Sequence, residues 1–183
     1  MKLLIIGKAG SGKSTLSNYL VKKYNFKQFA LGDNVKYFIS DMTNILHNID
    51  TNINEIKIEE LFDVETKKKY RKHMQQIGTD LCQKWFGKTV WCEIINKQIK
   101  TNSINSNIII DDCRFIHEYE YFKKQNYISI KILNNRCLLM NHSSELEQDL
   151  IEPDYIIENN NTIEDFYNKI DYLMTKLIKH NLN

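Results

Sequence analysis

Nine consecutive residues, Gly7-Lys8-Ala9-Gly10-Ser11-Gly12-Lys13-Ser14-Thr15, concentrate more potential chemistry than any other stretch of the chain. They fit G-x-x-x-x-G-K-[ST], follow the apolar run Leu3-Leu4-Ile5-Ile6, and hold three of the six glycines. Glycines let a backbone turn its N–H groups inward around a polyphosphate, and a helix that starts directly afterwards adds a favourable dipole. Lys13 is then expected on the β- and γ-phosphates, and the Ser14 hydroxyl on Mg²⁺. The chemistry predicted is binding of a nucleoside triphosphate such as ATP by the whole loop, Gly7 to Thr15.

Three further groups stand at spacings that suit phosphate chemistry. Asp111-Asp112-Cys113-Arg114 follows the run Ile108-Ile109-Ile110. Ligands of open α/β sheets gather beyond the carboxyl ends of strands, so Asp111 or Asp112 is the natural partner for Ser14 in holding Mg²⁺. Arg114 offers a planar fork for a phosphate or carboxylate. On a helix expected over residues 66–86, Arg71, Gln75, Gly78 and Cys82 share one face, and Tyr70, Met74, Ile77 and Leu81 the neighbouring apolar one. A helix-interior glycine costs about 0.5–1 kcal/mol relative to alanine. Gly78 therefore needs a reason, either a flat ligand or close helix packing. Arg136 with His142-Ser143-Ser144-Glu145 lies in an irregular polar segment that suits a lid closing over ATP.

The elements that must position these residues alternate. Strands are expected over 3–6, 26–30, 107–111, 127–133 and 155–157, and helices over 13–24, 66–86, 90–101 and 115–124. Asp33 is expected to cap a helix that buries Val35, Phe38, Ile39, Met42, Ile45 and Leu46, followed by a loop over 48–54. Thr162-x-x-Asp165 reads as a capping box opening a last helix that buries Ile163, Phe166, Ile170, Leu173 and Leu177. Such alternation predicts an α/β protein, a parallel sheet of about five strands with helices on both faces. The expected organisation is one domain: a core over 1–33, 103–133 and 153–183, a helical acceptor-binding region over 34–102, and a lid over 134–152.

Composition narrows the class. A chain of 183 residues with formal net charge +2 gives no sign of direct nucleic-acid binding or membrane binding. No apolar run approaches a transmembrane length, and the opening apolar run is too short for a signal peptide. Cys82, Cys92, Cys113 and Cys137 lie far apart without C-x-x-C, so they read as reduced thiols of a cytoplasmic protein. A homodimer is left open. Asn168-Lys169-Ile170-Asp171 matches the guanine-reading N-K-x-D of GTPase switches, but it falls inside a predicted helix and the chain has no D-x-x-G.

In combination these motifs resemble the P-loop deoxynucleoside monophosphate kinases of the bacteriophage and large-DNA-virus type. The likeness runs from the phosphate loop through Arg71-x3-Gln75-x2-Gly78-Thr79-Asp80, Asp111-Asp112-x-Arg114-Phe115 and His142-x-Ser144-Glu145 to Asp154-x-Ile156-Ile157-x-Asn159. It implies a three-layer P-loop NTPase fold and ATP- and Mg²⁺-dependent phosphorylation of deoxynucleoside monophosphates. The substrates would be small-molecule nucleotides. By the same resemblance Asp33, Arg71, Gln75, Gly78, Asp112, Arg114, His142 and Glu145 would bind the acceptor, and Lys13, Arg114 and Arg136 would act in transfer. Gln83 and Lys84 stand where the family often has arginine, which bears on base preference. The competing readings are another small-molecule kinase such as a phosphomevalonate kinase, a GTPase switch, and a nucleotide-bound scaffold without catalysis.

Overall fold

The computed structural model describes residues 1–103, 106–137 and 147–180. The chain divides into two compact units, Met1–Phe29 with Thr101–Asn183, and Ala30–Lys100.

The first unit is built on one parallel sheet. Among the described residues its strands are β1 (Lys2–Ile6), β2 (Phe26–Phe29), β3 (Asn107–Cys113), β4 (Ile128–Leu133) and β5 (Tyr155–Glu158), in the order β2-β3-β1-β4-β5. Every neighbouring pair is parallel. β1 lies at the centre because it has no polar side chain after Lys2, and Leu3, Leu4, Ile5 and Ile6 are all fully buried. The order reverses at β1, whose neighbours β3 and β4 both come later in the chain; this is the switch point where such sheets bind ligands. β3 runs two residues beyond the expected strand, so Asp111 and Asp112 belong to its carboxyl end.

Helix α1 (Lys13–Tyr24) begins at the loop and closes on Asn25, whose left-handed backbone donates its N–H to the Leu20 carbonyl. It packs Leu16 and Leu20 with Leu3, Ile5, Ile109, Ile130 and Ile132 in one core. α8 (Ile163–His180) completes that core with Phe166, Ile170, Leu173, Met174 and Leu177. Ile163, expected inside, is 44% exposed because it stands on the first turn, outside the buried stripe. The expected capping box is half formed. Thr162 Oγ1 accepts the Asp165 N–H, while the Asp165 carboxylate turns to Asn161 and Lys169.

The second unit is helical. α2 (Leu31–Ile49) starts two residues before Asp33, which sits in the first turn and pairs with Lys36 instead of capping. The helix also continues through residues expected to form a loop. Its buried seam runs Leu31, Val35, Ile39 and Thr43 at four-residue spacing. That seam is narrower than the stripe expected, and Phe38, Ile45 and Leu46 flank it in contact with solvent. α3 (Ile58–Phe62) has no strong sequence signal.

The long helix differs most from expectation. It runs as α4 (Val64–Gln75), a π-helical stretch Gln76–Gln83 and a short α5 (Lys84–Phe86). The wider π turn breaks the i, i+4 faces read from an α-helical period. Gly78 and Cys82 become buried, while Leu81 on the supposed apolar face is 37% exposed. A β-carbon on Gly78 would stand 3.0 Å from Val35 Cγ2, and Trp91 Nε1 of α6 (Val90–Asn102) donates to the Gly78 carbonyl at 2.9 Å. Helix packing thus supplies a reason for this glycine. Trp91 is core; Trp85 is 73% exposed. Gly78→Leu should lower the unfolding free energy by about 1–3 kcal/mol through overpacking. Adding Val35→Ala should restore part of that loss in denaturant unfolding. No recovery would contradict the packing account.

Candidate active site

The phosphate loop hangs between β1 and α1, and close neighbours or its own backbone conformation dictate its glycines. A β-carbon on Gly7 would come within 2.6 Å of Ser11 Oγ and 2.9 Å of the Ile132 carbonyl on β4. Gly10 and Gly12 have φ of +82° and +109°, conformations that L side chains resist. Lys13 Nζ donates to the carbonyls of Gly7 and Lys8, the latter at 2.9 Å, so the ammonium stands within the loop's own curve. Ser11 Oγ is buried without a hydrogen-bond partner among the described residues. A hydroxyl in that state, left-handed glycines, a lysine ammonium and the N-terminus of α1 form a donor set that fits a polyphosphate.

Asp111 lies near the carboxyl end of β3, the strand next to β1. It is 7% exposed, and Gln28 Nε2 on the edge strand β2 donates to its carboxylate at 2.7 Å. Asp112 and Arg114 are half-buried. With Ser14, the aspartates supply oxygen donors only, which suits a hard cation. Mg²⁺ keeps several waters and takes phosphate oxygens, so one or two protein groups suffice. Among the described residues no cluster of three His, Cys, Asp or Glu is arranged for a metal.

The turn carrying Arg114 is fixed by two glutamates. Glu118 accepts the N–H groups of Arg114 (2.8 Å) and Phe115 (3.1 Å), and Glu147 accepts that of Ile116 (3.1 Å). These are the opening donors of α7 (Ile116–Lys123). Glu118 is 4% exposed, and burial pushes its pKa up to about 7 against the lowering effect of the two N–H donors. Glu147 belongs to a 3-10 turn, Glu147–Leu150, that is also held by Lys131 Nζ on the Gln148 carbonyl and by a Lys8–Asp149 ion pair at 2.9 Å.

Arg136 lies in the loop after β4. Its guanidinium reaches the Asn160 and Asn161 carbonyls at 3.4 and 3.5 Å, and the Asn135 N–H donates to Asn160 Oδ1. His142 and Glu145, with Ser143 and Ser144, lie outside the described residues. The sheet unit therefore gathers the loop, Asp111, Asp112, Arg114 and Arg136. Asp33, Arg71, Gln75 and Gly78 belong to the helical unit, with Arg71 and Gln75 half-buried and Gly78 buried.

The match to N-K-x-D has a structural explanation. Asp171, inside α8, accepts Tyr19 Oη, Tyr24 Oη (2.8 Å) and Lys23 Nζ (2.7 Å). Its carboxylate ties α8 to α1 and is not presented to a base.

A family model described as deoxynucleotide monophosphate kinase matches residues 43–170, more than half of the chain. The chain belongs to this family. It is a phosphotransferase, a nucleotide kinase. The match spans Arg71 to Gly78, Asp111 to Arg114, and Arg136; the phosphate loop precedes it. Among solved structures, a dephospho-CoA kinase from Campylobacter jejuni superposes with a TM-score of 0.54 at 16% identity, covering 99% of this chain and 100% of that one. It shows the shared P-loop kinase fold. A shikimate kinase from Aquifex aeolicus gives a TM-score of 0.48 at 13% identity over 100% and 99% of the two chains. No curated protein matches the chain in sequence.

Gln28 and Glu118 belong to this site without being marked by the sequence motifs, and so does Asn159, whose Nδ2 donates to the Ser11 carbonyl of the loop. Glu118 had a local signal, an acid four residues after Arg114 at a helix start. Gln28 acquires its place only through the pairing of β2 with β3. The folded pKa of Glu118 exceeds its ordinary 4.5, so between about pH 4.5 and 7 the folded state holds a proton that the unfolded chain has released. The stability this group contributes is thus full below that window and is lost as pH rises through it. The unfolding free energy of wild type minus that of Glu118→Gln should fall between pH 4.5 and 7 in urea titrations. A flat difference would contradict the assignment.

Proposed function

We propose that this kinase transfers the γ-phosphoryl of ATP to a deoxynucleoside monophosphate, giving ADP and the deoxynucleoside diphosphate. The observation that carries the reading is one sheet end bearing both halves of the chemistry. β1 ends in a polyphosphate loop, and its neighbour β3 ends in Asp111-Asp112-x-Arg114, in a chain of this family.

The loop N–H groups and Lys13 bind the donor's β- and γ-phosphates, and Arg114 holds the acceptor's α-phosphate. An oxygen of that phosphate, already unprotonated near neutral pH, attacks the γ-phosphorus in line. The bond from γ-phosphorus to the β–γ bridging oxygen breaks, and ADP leaves with the electron pair. No covalent intermediate and no strong general base are required; positioning and charge neutralisation carry the rate. Ser14 with Asp111 or Asp112 would hold Mg²⁺, which would supply positive charge to offset the charge developing on the transferring phosphoryl group. Asp33, Arg71, Gln75 and Gly78 are assigned to the acceptor side of the helical unit. Arg136, after β4, is assigned to the lid and to transfer, its guanidinium neutralising the transferring group.

Lys13→Ala should reduce kcat about a hundred- to a thousandfold while circular dichroism and Tm stay near wild type. Undiminished turnover would refute the loop assignment. Arg114→Ala should raise KM for the deoxynucleoside monophosphate by about tenfold and leave KM for ATP within about twofold. Equal losses for both substrates would contradict its role.

A further inference from the structure

Asn159 follows the last strand and reaches back to the phosphate loop. Its side-chain Nδ2 donates to the Ser11 carbonyl at 2.9 Å, and its own backbone N–H donates to the Leu133 carbonyl at 2.8 Å. The amide therefore springs from the paired ends of β4 and β5. The same Nδ2 would lie 2.5 Å from a β-carbon on residue 12, with the Phe166 ring at 3.4 Å behind it.

These contacts converge on one peptide unit, the bond joining Ser11 to Gly12. Its carbonyl is the acceptor for Asn159, so the N–H on its other edge, that of Gly12, points the opposite way. A donor set for phosphate requires that orientation. Rotation of this peptide by half a turn would aim a carbonyl dipole at the triphosphate and remove an N–H donor. Glycine at position 12, with φ of +109°, offers little intrinsic resistance to such rotation. Something outside the loop must supply the resistance.

We propose that Asn159 is a positioning residue for the donor site: its amide latches the Ser11–Gly12 peptide with the carbonyl outward, at a position that its left-handed φ already restricts to glycine. This rests on the reading of the loop as the ATP site. The amide orientation follows from chemistry, since Oδ1 in place of Nδ2 would set two acceptors face to face.

Two variants separate the latch from a general packing role. Asn159→Asp keeps the shape but turns a carboxylate oxygen toward the Ser11 carbonyl; Asn159→Ala removes the group. Calorimetric titration with a non-hydrolysable ATP analogue should show Kd raised about tenfold in Asn159→Ala and at least as much in Asn159→Asp. KM for the deoxynucleoside monophosphate should stay within about twofold in both. Analogue affinity unchanged in Asn159→Asp would overturn the proposal, as would equal losses for donor and acceptor. Failure of both variants to fold would also overturn it, by assigning Asn159 to the fold and not the loop. Lys13→Ala serves as the control. If wild type binds the analogue and Lys13→Ala does not, the donor-site reading stands whatever Asn159 does. If wild type does not bind it, that reading fails first and the proposal with it.

Discussion

The burial of β1 on both faces, with a parallel strand on each side, is the constraint on which the rest of the molecule depends. Four consecutive aliphatic side chains, Leu3 to Ile6, are fully buried. At about 1.5–3 kcal/mol each relative to exposure, they anchor the strand far more strongly than any surface contact could. The loop that follows therefore starts from a fixed point. Ile132 on β4 crowds Gly7 from one side, and Asn159 at the end of β5 crowds Gly12 from another. A loop of small residues, floppy in isolation, is shaped by the sheet edge around it.

The same sheet edge also organises the charged groups. Asp111 is held by an amide from β2, and the turn bearing Arg114 is held through its own backbone by Glu118 and Glu147. Asp111 and the backbone at Arg114 are thus oriented by polar partners from other elements. Such support lowers the reorganisation required as charge develops in phosphoryl transfer. Asp171 gives the complementary lesson. A carboxylate in a suggestive motif is saturated by two tyrosines and a lysine, and its task is to join α1 to α8.

Much of this was legible in the sequence because the signals were local and strong. β1, α1 and the phosphate loop follow from an apolar run, glycines and Lys13 in immediate succession. The strand alternation gave the parallel sheet with Asp111 and Asp112 at a strand end. What the sequence concealed depended on non-local packing. The π-helical stretch over Gln76–Gln83 moved Gly78 and Cys82 inward and Leu81 outward, so an α-helical wheel drew the wrong face. The seam of α2 passed through Thr43, a polar residue, and left Ile45 outside. Asn159 stood in a recognisable motif, yet its meaning lies in a contact across 148 positions of sequence to Ser11.

Family membership and the sheet-end geometry together narrow the reaction to phosphoryl transfer onto a nucleotide, and the proposed acceptor can be read directly from the product. The decisive measurement is ³¹P NMR or mass spectrometry of products formed by the wild-type chain from ATP and Mg²⁺ with each deoxynucleoside monophosphate, each ribonucleoside monophosphate and phosphomevalonate in turn. The account predicts ADP and a deoxynucleoside diphosphate in equal amounts with at least one deoxynucleoside monophosphate, and no turnover of phosphomevalonate. Phosphorylation of phosphomevalonate with no diphosphate formed from any deoxynucleoside monophosphate would contradict it.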